Sequence, residues 1–200
     1  TGYLGNLKQV AHVKNIMDNV LDEDGVRIVD PAMADSGKLY TGFDDAYVES
    51  MKELCATADI ILPNITEACL LTGIPYKNSF DKQYVEELIC ALKNLFSAKI
   101  VLTGVGVTEG TTGVAIYDGA NIEYYEHIKI GLGSHGTGDV FASAFCGGLL
   151  NGFSLYDSMC IAVRFTCDCI KRTKESSPDT HYGVDFERGI PFLLKELKKI

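Results

Sequence analysis

Residues 58–68, ADIILPNITEA, decide the fold, because they join a strand to the start of a helix with almost nothing between them. Residues 60–62 are apolar throughout, as expected of a strand that is buried on both faces of a parallel sheet. The next two residues break the strand, and a helix is predicted over 66–71, ending at Gly73. A strand that feeds directly into a helix is the repeating unit of an α/β fold.

The same alternation extends along most of the chain. Helices are predicted over about 7–21, 44–55, 83–96, 137–150 and 155–171, with a closing amphipathic helix to residue 200. Strands are predicted at 26–29, 100–103, 113–117 and 122–127. Asp118 and Gly119 give the strongest signal for a β-hairpin, near residues 113–127. The pattern predicts an α/β layer fold with a mostly parallel sheet.

Composition limits the classes of function. With 200 residues, of which 46% are hydrophobic and 22% charged, the chain is typical of one globular domain. A net charge of −9 argues against a nucleic-acid partner, because binding to a phosphate backbone needs a basic face. There is neither an apolar run of membrane length nor a signal-peptide pattern, so we expect a cytoplasmic protein that does not bind membranes.

The cysteines indicate neither a disulfide framework nor a zinc ribbon. There are 7, an odd number, and no C-x-x-C pair occurs. Five of them have apolar neighbours and are expected to be buried, namely Cys55, Cys69, Cys90, Cys146 and Cys160.

A glycine-rich turn at residues 133–143, GSHGTGDVFAS, carries the strongest chemical signal. Glycine at positions 136 and 138 leaves no side chain between the backbone N–H groups and a ligand, and a helix begins directly behind them. Asp139 falls in the first turn of that helix, where it can accept a proton from a nucleophile. The arrangement favours phosphoryl transfer.

Two other interpretations of this turn remain open. It can be an ordinary junction of loop and helix, in which Asp139 only complements the helix dipole. Residues 131–136 also fit the dinucleotide fingerprint G-x-G-x-x-G. A dinucleotide site, however, needs a helix that returns to a parallel strand, whereas here two predicted helices follow in succession.

Polar residues gather at the predicted carboxyl ends of the strands, where open α/β sheets bind ligands. They are Asp30, Asp35, Asn64, Glu67 and Thr103. Several carboxylates on one rim suggest a hydrated Mg²⁺ beside phosphates. The structural alternative is that Asn64 and Glu67, spaced N-x-x-E, form a capping box, and that Asp30 merely ends a strand.

Taken together, four segments resemble the pyridoxal kinase group of the ribokinase-like superfamily. Residues 1–5 (TGYLG) are similar to its S/T-G-Y-L-G segment, and residues 30–35 (DPAMAD) to D-P-V-M-G-D. Residues 58–68 are similar to A-D-I-I-x-P-N-x-x-E-A, and residues 136–143 to G-T-G-D-x-F-A-S. The resemblance covers essentially the whole chain. It implies a ribokinase-like three-layer α/β/α sandwich and a single kinase domain over residues 1–200.

The resemblance also implies an activity, the ATP-dependent phosphorylation of the 5′-hydroxymethyl group of pyridoxal, pyridoxine or pyridoxamine in vitamin B6 salvage. Asp139 would be the base that takes the proton of the hydroxyl group. The N–H groups of Gly136, Thr137 and Gly138 would stabilise charge on the γ-phosphoryl group.

Further roles follow from the same resemblance. Asp35 and Glu67 would act through Mg²⁺ and its waters, with Asn64 supporting that site, and Thr103 would contact the nucleotide phosphates. The pocket between vitamer and nucleotide would be lined by Tyr3 and Tyr40. Gly133 would belong to the segment near residues 127–135 that lies against the adenine of ATP.

The chain departs from the family pattern in two respects. It begins at a motif that lies well inside the family's domain, so the first βαβ units and the lid are absent from this chain; a homodimer is expected when the domain is complete. Ala34 also stands where glycine is usual. Two other functions therefore remain open: a hydroxymethylpyrimidine kinase, although such enzymes usually carry cysteine where this chain has Asp139, and a non-catalytic nucleotide-binding remnant.

Overall fold

The computed structural model describes residues 1–22, 24–131, 136–176 and 183–199. The chain divides into two compact units, Thr1–His127 and Ile128–Ile200. Among the described residues, none of the helices combines the length and the apolar character that a membrane span requires.

A five-stranded sheet organises the first part of the chain. Its elements, in chain order, are α1 Leu7–Asn19, β1 Ile28–Val29, β2 Ala34–Asp35, β3 Lys38–Leu39, α2 Asp45–Cys55, β4 Ile60–Ile61, α3 Ile65–Thr72, α4 Lys82–Leu95, β5 Lys99–Thr103, β6 Thr111–Tyr117 and β7 Ile122–Ile128. The strand order is β1-β4-β5-β6-β7. Strands β1, β4 and β5 pair in parallel, and β6 runs antiparallel to β5. The expected mostly parallel sheet with a hairpin after β5 is confirmed.

Helices α1 to α4 each have a side-chain cap at the N-terminus. In each of α1 to α4, the residue before the helix accepts the backbone N–H three residues later, which satisfies one donor of the first turn. These residues are Asn6, Asp44, Asn64 and Asp81. The core lies against the sheet, where Ile61, Ile100 and Leu102 are fully buried.

A small hairpin of β2 and β3 follows the first strand, and the sequence pattern did not predict it. Ala34 pairs with Leu39, and the turn between the strands places Ser36 and Gly37 at φ of 51° and 77°. Strands of two residues are too short for an alternating pattern to be recognised. The hairpin carries Asp35 at its turn.

The second unit is helical. It contains α5 Thr137–Leu150, α6 Leu155–Ser176, a 3₁₀ turn Glu187–Gly189 and α7 Ile190–Glu196. Helices α5 and α6 approach closely at Gly148, where an added Cβ atom would lie 2.8 Å from the Cβ atom of Ser158. Helix α7 is shorter than predicted, because it ends at Glu196 and the predicted closing helix extended to residue 200.

None of the seven cysteines, all of which lie in the described ranges, forms a disulfide bond. Cys55, Cys69 and Cys160 are buried as expected, and Cys146 is half-buried. The expectation for Cys90 was wrong, because this residue is exposed. Helix α4 buries its other face, and Leu88, Ile89 and Leu92 lie on it.

Candidate active site

Helix α5 begins without a side-chain cap. Its N-cap is Gly136, in the left-handed conformation at φ 78°, and the first bond within the helix runs from the N–H of Val140 to the carbonyl oxygen of Gly136 at 3.0 Å. The N–H groups of residues 137–139 belong to the first turn, where a helix has no carbonyl of its own to offer them. None of the described residues lies within 4 Å of a Cβ atom added at Gly136 or Gly138. This helix start is therefore open enough to receive an anion.

Asp139 is the third residue of α5, and its side chain is exposed. Its carboxylate makes no hydrogen bond or ion pair with other described residues. A carboxylate in this setting can accept a proton from an approaching hydroxyl group. Gly133, which was expected to contact the nucleotide, lies outside the described residues.

In the first unit, the carboxyl ends of two neighbouring strands bring Asn64 and Thr103 side by side. An isolated parallel bridge joins Asn64, which follows β4, to Thr103, the last residue of β5. The backbone N–H of Thr103 donates to the carbonyl oxygen of Pro63 at 2.9 Å. The sequence predicted this juxtaposition, because parallel strands end at the same edge of a sheet.

Asn64 and Glu67 form the capping box that the N-x-x-E spacing predicted as the structural alternative. The Asn64 Oδ1 atom accepts the N–H of Glu67 at 2.9 Å, and the Glu67 Oε2 atom accepts the N–H of Asn64 at 2.8 Å. The pair also binds the loop that precedes β2. Glu67 Oε1 accepts the N–H groups of Met33 and Ala34 at 3.0 and 3.4 Å, and Asn64 Nδ2 donates to the carbonyl oxygen of Ala34 at 2.8 Å.

The Glu67 carboxyl group is only 2% exposed, and its neighbour Asp30 is 8% exposed. Burial, followed by the negative charge of Asp30, raises the pKa of Glu67 to about 8, although the backbone bonds from Asn64, Met33 and Ala34 act in the opposite direction. A cation near this pair would favour the ionised form. The carboxyl groups of Glu67 and Asp30 are therefore suited to a rim that binds a divalent cation.

Asp35 differs from Glu67 in being exposed, and its Oδ1 atom accepts the N–H of Ser36 at 2.7 Å. In the described ranges there is no group of three or more His, Cys, Asp or Glu side chains that could enclose a metal ion. Mg²⁺ commonly takes one or two carboxylates and completes its shell with phosphates and water. The available carboxylates fit that mode of binding.

Four aromatic rings form a cluster near the start of α2. Tyr3 stacks on Phe43 with ring centroids 5.5 Å apart, and Tyr40 lies 6.4 Å from Tyr3. Phe43 in turn stacks on Tyr47 at 3.8 Å. Tyr3 and Tyr40 remain 57% and 39% exposed. The two predicted tyrosines are thus brought together, with exposed faces that suit a flat ring.

Sequence reasoning did not single out Phe43 and Tyr47, which support those tyrosines. The spacing of the two residues, four positions apart across the helix start, is a signal that could have identified them. The carboxylate rim and the aromatic cluster belong to the first unit, and the start of α5 belongs to the second.

A mostly parallel sheet flanked by helices, together with an uncapped glycine helix start that bears an acid, defines a protein of the ribokinase-like superfamily. Residues 1–184 match the family model for phosphomethylpyrimidine kinase. The chain belongs to this family, as a pyridoxal kinase-like member.

Three similar proteins illustrate the range of the family. A pyridoxal kinase of Dictyostelium discoideum is 29% identical over 161 residues, which cover 74% of this chain and 52% of that protein. A hydroxymethylpyrimidine/phosphomethylpyrimidine kinase of Bacillus subtilis is 27% identical over 178 residues, covering 86% and 63%. The crystal structure of a candidate phosphomethylpyrimidine kinase from Bacteroides thetaiotaomicron with pyridoxal has a TM-score of 0.87 and 30% identity, and the match covers 96% of this chain and 69% of that one. The chain thus spans between half and two thirds of the length of these two curated relatives.

Proposed function

We propose that the protein transfers the γ-phosphoryl group of ATP to the 5′-hydroxymethyl group of a B6 vitamer, namely pyridoxal, pyridoxine or pyridoxamine. The observation that carries the proposal is the start of α5, where an uncapped, left-handed Gly136 precedes an exposed Asp139 at the third helical position. We further propose that residues 1–200 act as one kinase domain.

In the proposed reaction, the Asp139 carboxylate takes the proton of the substrate hydroxyl group as the new O–P bond forms. The bond between the γ-phosphorus and the β–γ bridging oxygen breaks, and ADP leaves with that electron pair. The N–H groups of Gly136, Thr137 and Gly138 stabilise the charge on the transferring group, assisted by the positive end of the helix dipole.

The rim of the first unit would hold the nucleotide phosphates. Asp35 and, through water, Glu67 would bind Mg²⁺, which neutralises phosphate charge when it is bound. Asn64 would keep Glu67 and the loop before β2 in place through the hydrogen bonds described above. Thr103 would contact the phosphates from the neighbouring strand end, and Gly133 would lie near the adenine.

The acceptor ring would lie against Tyr3 and Tyr40, whose exposed faces suit a pyridine ring. Two observations support a B6 vitamer as the acceptor. Asp139 stands where hydroxymethylpyrimidine kinases usually have cysteine, and the similar Bacteroides thetaiotaomicron protein was crystallised with pyridoxal. The second candidate, phosphorylation of hydroxymethylpyrimidine, is supported by the family match and by the Bacillus subtilis relative.

The test is an assay of the purified chain with ATP and Mg²⁺, in which each of the three vitamers and hydroxymethylpyrimidine is supplied separately. Mass spectrometry of the product identifies the phosphorylated compound. We expect a vitamer phosphate, formed with a higher kcat/KM than hydroxymethylpyrimidine phosphate. Preference for the pyrimidine would replace the first candidate with the second. Binding of ATP without any product would indicate a protein that binds nucleotide and is not a kinase. Absence of both ATP binding and product would contradict the proposal.

A further inference from the structure

A single carboxylate gathers three donors at the loop that links β5 to β6. Glu126, on β7, accepts the backbone N–H of Val107 through Oε1 at 2.6 Å. The hydroxyl group of Thr108 donates to Oε2 at 3.3 Å. The hydroxyl hydrogen of Thr111 is shared between the carbonyl oxygen of Thr108, at 2.6 Å, and Glu126 Oε1, at 3.3 Å. Hydrogen bonds to an ionised acceptor are shorter and stronger than those between neutral groups. These hydrogen bonds to Glu126 therefore connect the middle of the loop to strand β7.

The loop also packs closely against the first residues of β6. The N–H of Val105, whose side chain is fully buried, donates to the carbonyl oxygen of Gly113 at 3.0 Å. At Gly106 an added Cβ atom would lie 2.3 Å from the carbonyl oxygen of Thr111, so the two backbone segments pass too closely for any side chain. Only glycine allows this approach. The path of residues 104–110 is thus fixed at both ends, and Glu126 fixes it between them.

We propose that Glu126 is a positioning residue for the nucleotide. The inference rests on the proposed function, because the loop continues directly from Thr103, the residue proposed to contact the phosphates. Displacement of a binding group by even about 1 Å can cost a large part of its effect. With its carboxylate in place, the loop holds one conformation before ATP arrives, so that less ordering is needed on binding. The acceptor ring is proposed to lie elsewhere, at Tyr3 and Tyr40, so Glu126 should affect the two substrates unequally.

Two substitutions separate positioning from general stability. Glu126→Ala removes the acceptor of the Val107 N–H and of the Thr108 hydroxyl group, and leaves Thr111 bound to the carbonyl oxygen of Thr108. Glu126→Gln keeps an oxygen for the N–H of Val107, and its amide group can donate to the threonine hydroxyls, which also accept hydrogen bonds. Glu123→Ala is the matched control, because Glu123 is exposed on the same strand and points to the opposite face.

The experiment measures KM for ATP, KM for the vitamer and kcat, together with the Kd of Mg²⁺ and a non-hydrolysable ATP analogue by calorimetry. For Glu126→Ala we expect KM and Kd for the nucleotide to rise about tenfold, with the KM of the vitamer changed less than about twofold. Glu126→Gln should restore most of the affinity, and Glu123→Ala should match the wild-type protein. Should Glu126→Ala fail to fold, Thr108→Val removes one donor to the carboxylate and keeps the bond from Thr111 to the carbonyl oxygen of residue 108, and a two- to threefold rise, roughly, is expected.

An unchanged nucleotide Kd in Glu126→Ala, or an equal loss for both substrates, would overturn the inference. Faster hydrogen exchange at the Val107 amide with an unchanged Kd would show that Glu126 serves only the fold. Measurements on the wild-type protein test the proposed function separately. If the wild-type protein binds no nucleotide, both the proposed function and the inference are contradicted. If it binds nucleotide and Glu126→Ala has no effect, only the inference is contradicted.

Discussion

Helices α3 and α5 begin in opposite ways, although each has an acidic residue at its third position. In α3 the side chain of Asn64 caps the helix, and Glu67 folds back onto the backbone N–H of Asn64. In α5 the cap position is Gly136, which has no side chain to offer, and Asp139 remains exposed. The capping box of α3 satisfies two backbone donors with its own side chains, whereas the cap position of α5 has no side chain for this purpose, and a glycine helix start of this kind suits an anion.

The difference shows that an acidic residue at the third position of a helix can have two different roles. Glu67 is buried and binds a distant loop at Met33 and Ala34, so its acid group maintains the shape of the rim. Asp139 has a side chain shorter by one methylene group and follows glycines, so its acid group stays available for proton transfer. The closed helix start is expected to affect mainly stability, and the open one mainly activity.

The largest expected effect comes from Asp139→Asn, which removes the proposed base and keeps the shape of the side chain. We expect kcat to fall by about two to four orders of magnitude, the usual contribution of a positioned base. The affinity for ATP should be retained. Steady-state kinetics and calorimetry with a non-hydrolysable ATP analogue measure the two quantities.

Asp157→Asn is the control for that substitution. Asp157 is the third residue of α6, and its Oδ2 atom accepts the hydroxyl hydrogen of Ser154 at 2.7 Å. Its kcat should stay near that of the wild-type protein. If Asp139→Asn behaves like Asp157→Asn, Asp139 only complements its helix.

The second prediction concerns the closed helix start. Asn64→Ala should lower the free energy of unfolding by about 2–4 kcal/mol, because the helix loses its cap and the carbonyl oxygen of Ala34 loses a donor. Asp81→Ala removes only a cap, that of the Tyr84 N–H, and should cost about 1 kcal/mol. Denaturant unfolding measures both. Equal losses would mean that the bond between Asn64 and Ala34 contributes nothing.

Two glycines with the same backbone conformation give the third prediction. Gly136 and Gly73 both have φ of 78°, and no residue in the described ranges comes within 4 Å of a Cβ atom added at either. Substitution by alanine should therefore cost each about 1–2 kcal/mol of stability through backbone strain alone. Only Gly136→Ala should also weaken nucleotide binding and lower kcat/KM. A similar loss of activity in Gly73→Ala would attribute the effect to stability.

The smallest effect on stability is expected at Gly138, which lies inside the first turn of α5 with space around it. Alanine forms helices better than glycine, so Gly138→Ala should raise the free energy of unfolding by up to about 1 kcal/mol. The added methyl group lies beside the N–H groups proposed to bind phosphate, so kcat/KM should fall. A variant that is both more stable and fully active would argue against phosphate binding at this turn.

Much of the fold could be predicted from sequence, because its elements have strong periodic patterns and clear boundaries. Helix α4 was predicted to within a residue at each end, and α3 stops at Gly73 as predicted, with that glycine in the left-handed conformation. The hairpin around Asp118 and Gly119 was found from two residues. The same helical spacing, applied to Cys90, would have placed it on the exposed face of α4.

Contacts between residues far apart in sequence could not be predicted in this way. The N-x-x-E spacing predicts the capping box of Asn64 and Glu67, but no local pattern reveals that Glu67 also binds Met33, 34 positions earlier. The hydrogen bonds of Glu126 to the β5–β6 loop span 15 to 19 positions and were likewise missed. Such contacts depend on how strands and loops meet in the folded chain.

The central claim, that the start of α5 binds the outer phosphate of a nucleotide, is tested most directly by the backbone amide resonances of this turn. A protein labelled with ¹⁵N is titrated with Mg²⁺ and a non-hydrolysable ATP analogue while the signals of Gly136, Thr137 and Gly138 are followed. We predict that these signals shift and saturate with the Kd found by calorimetry, and that ADP produces smaller shifts. Tight nucleotide binding that leaves all three signals in place would contradict the claim.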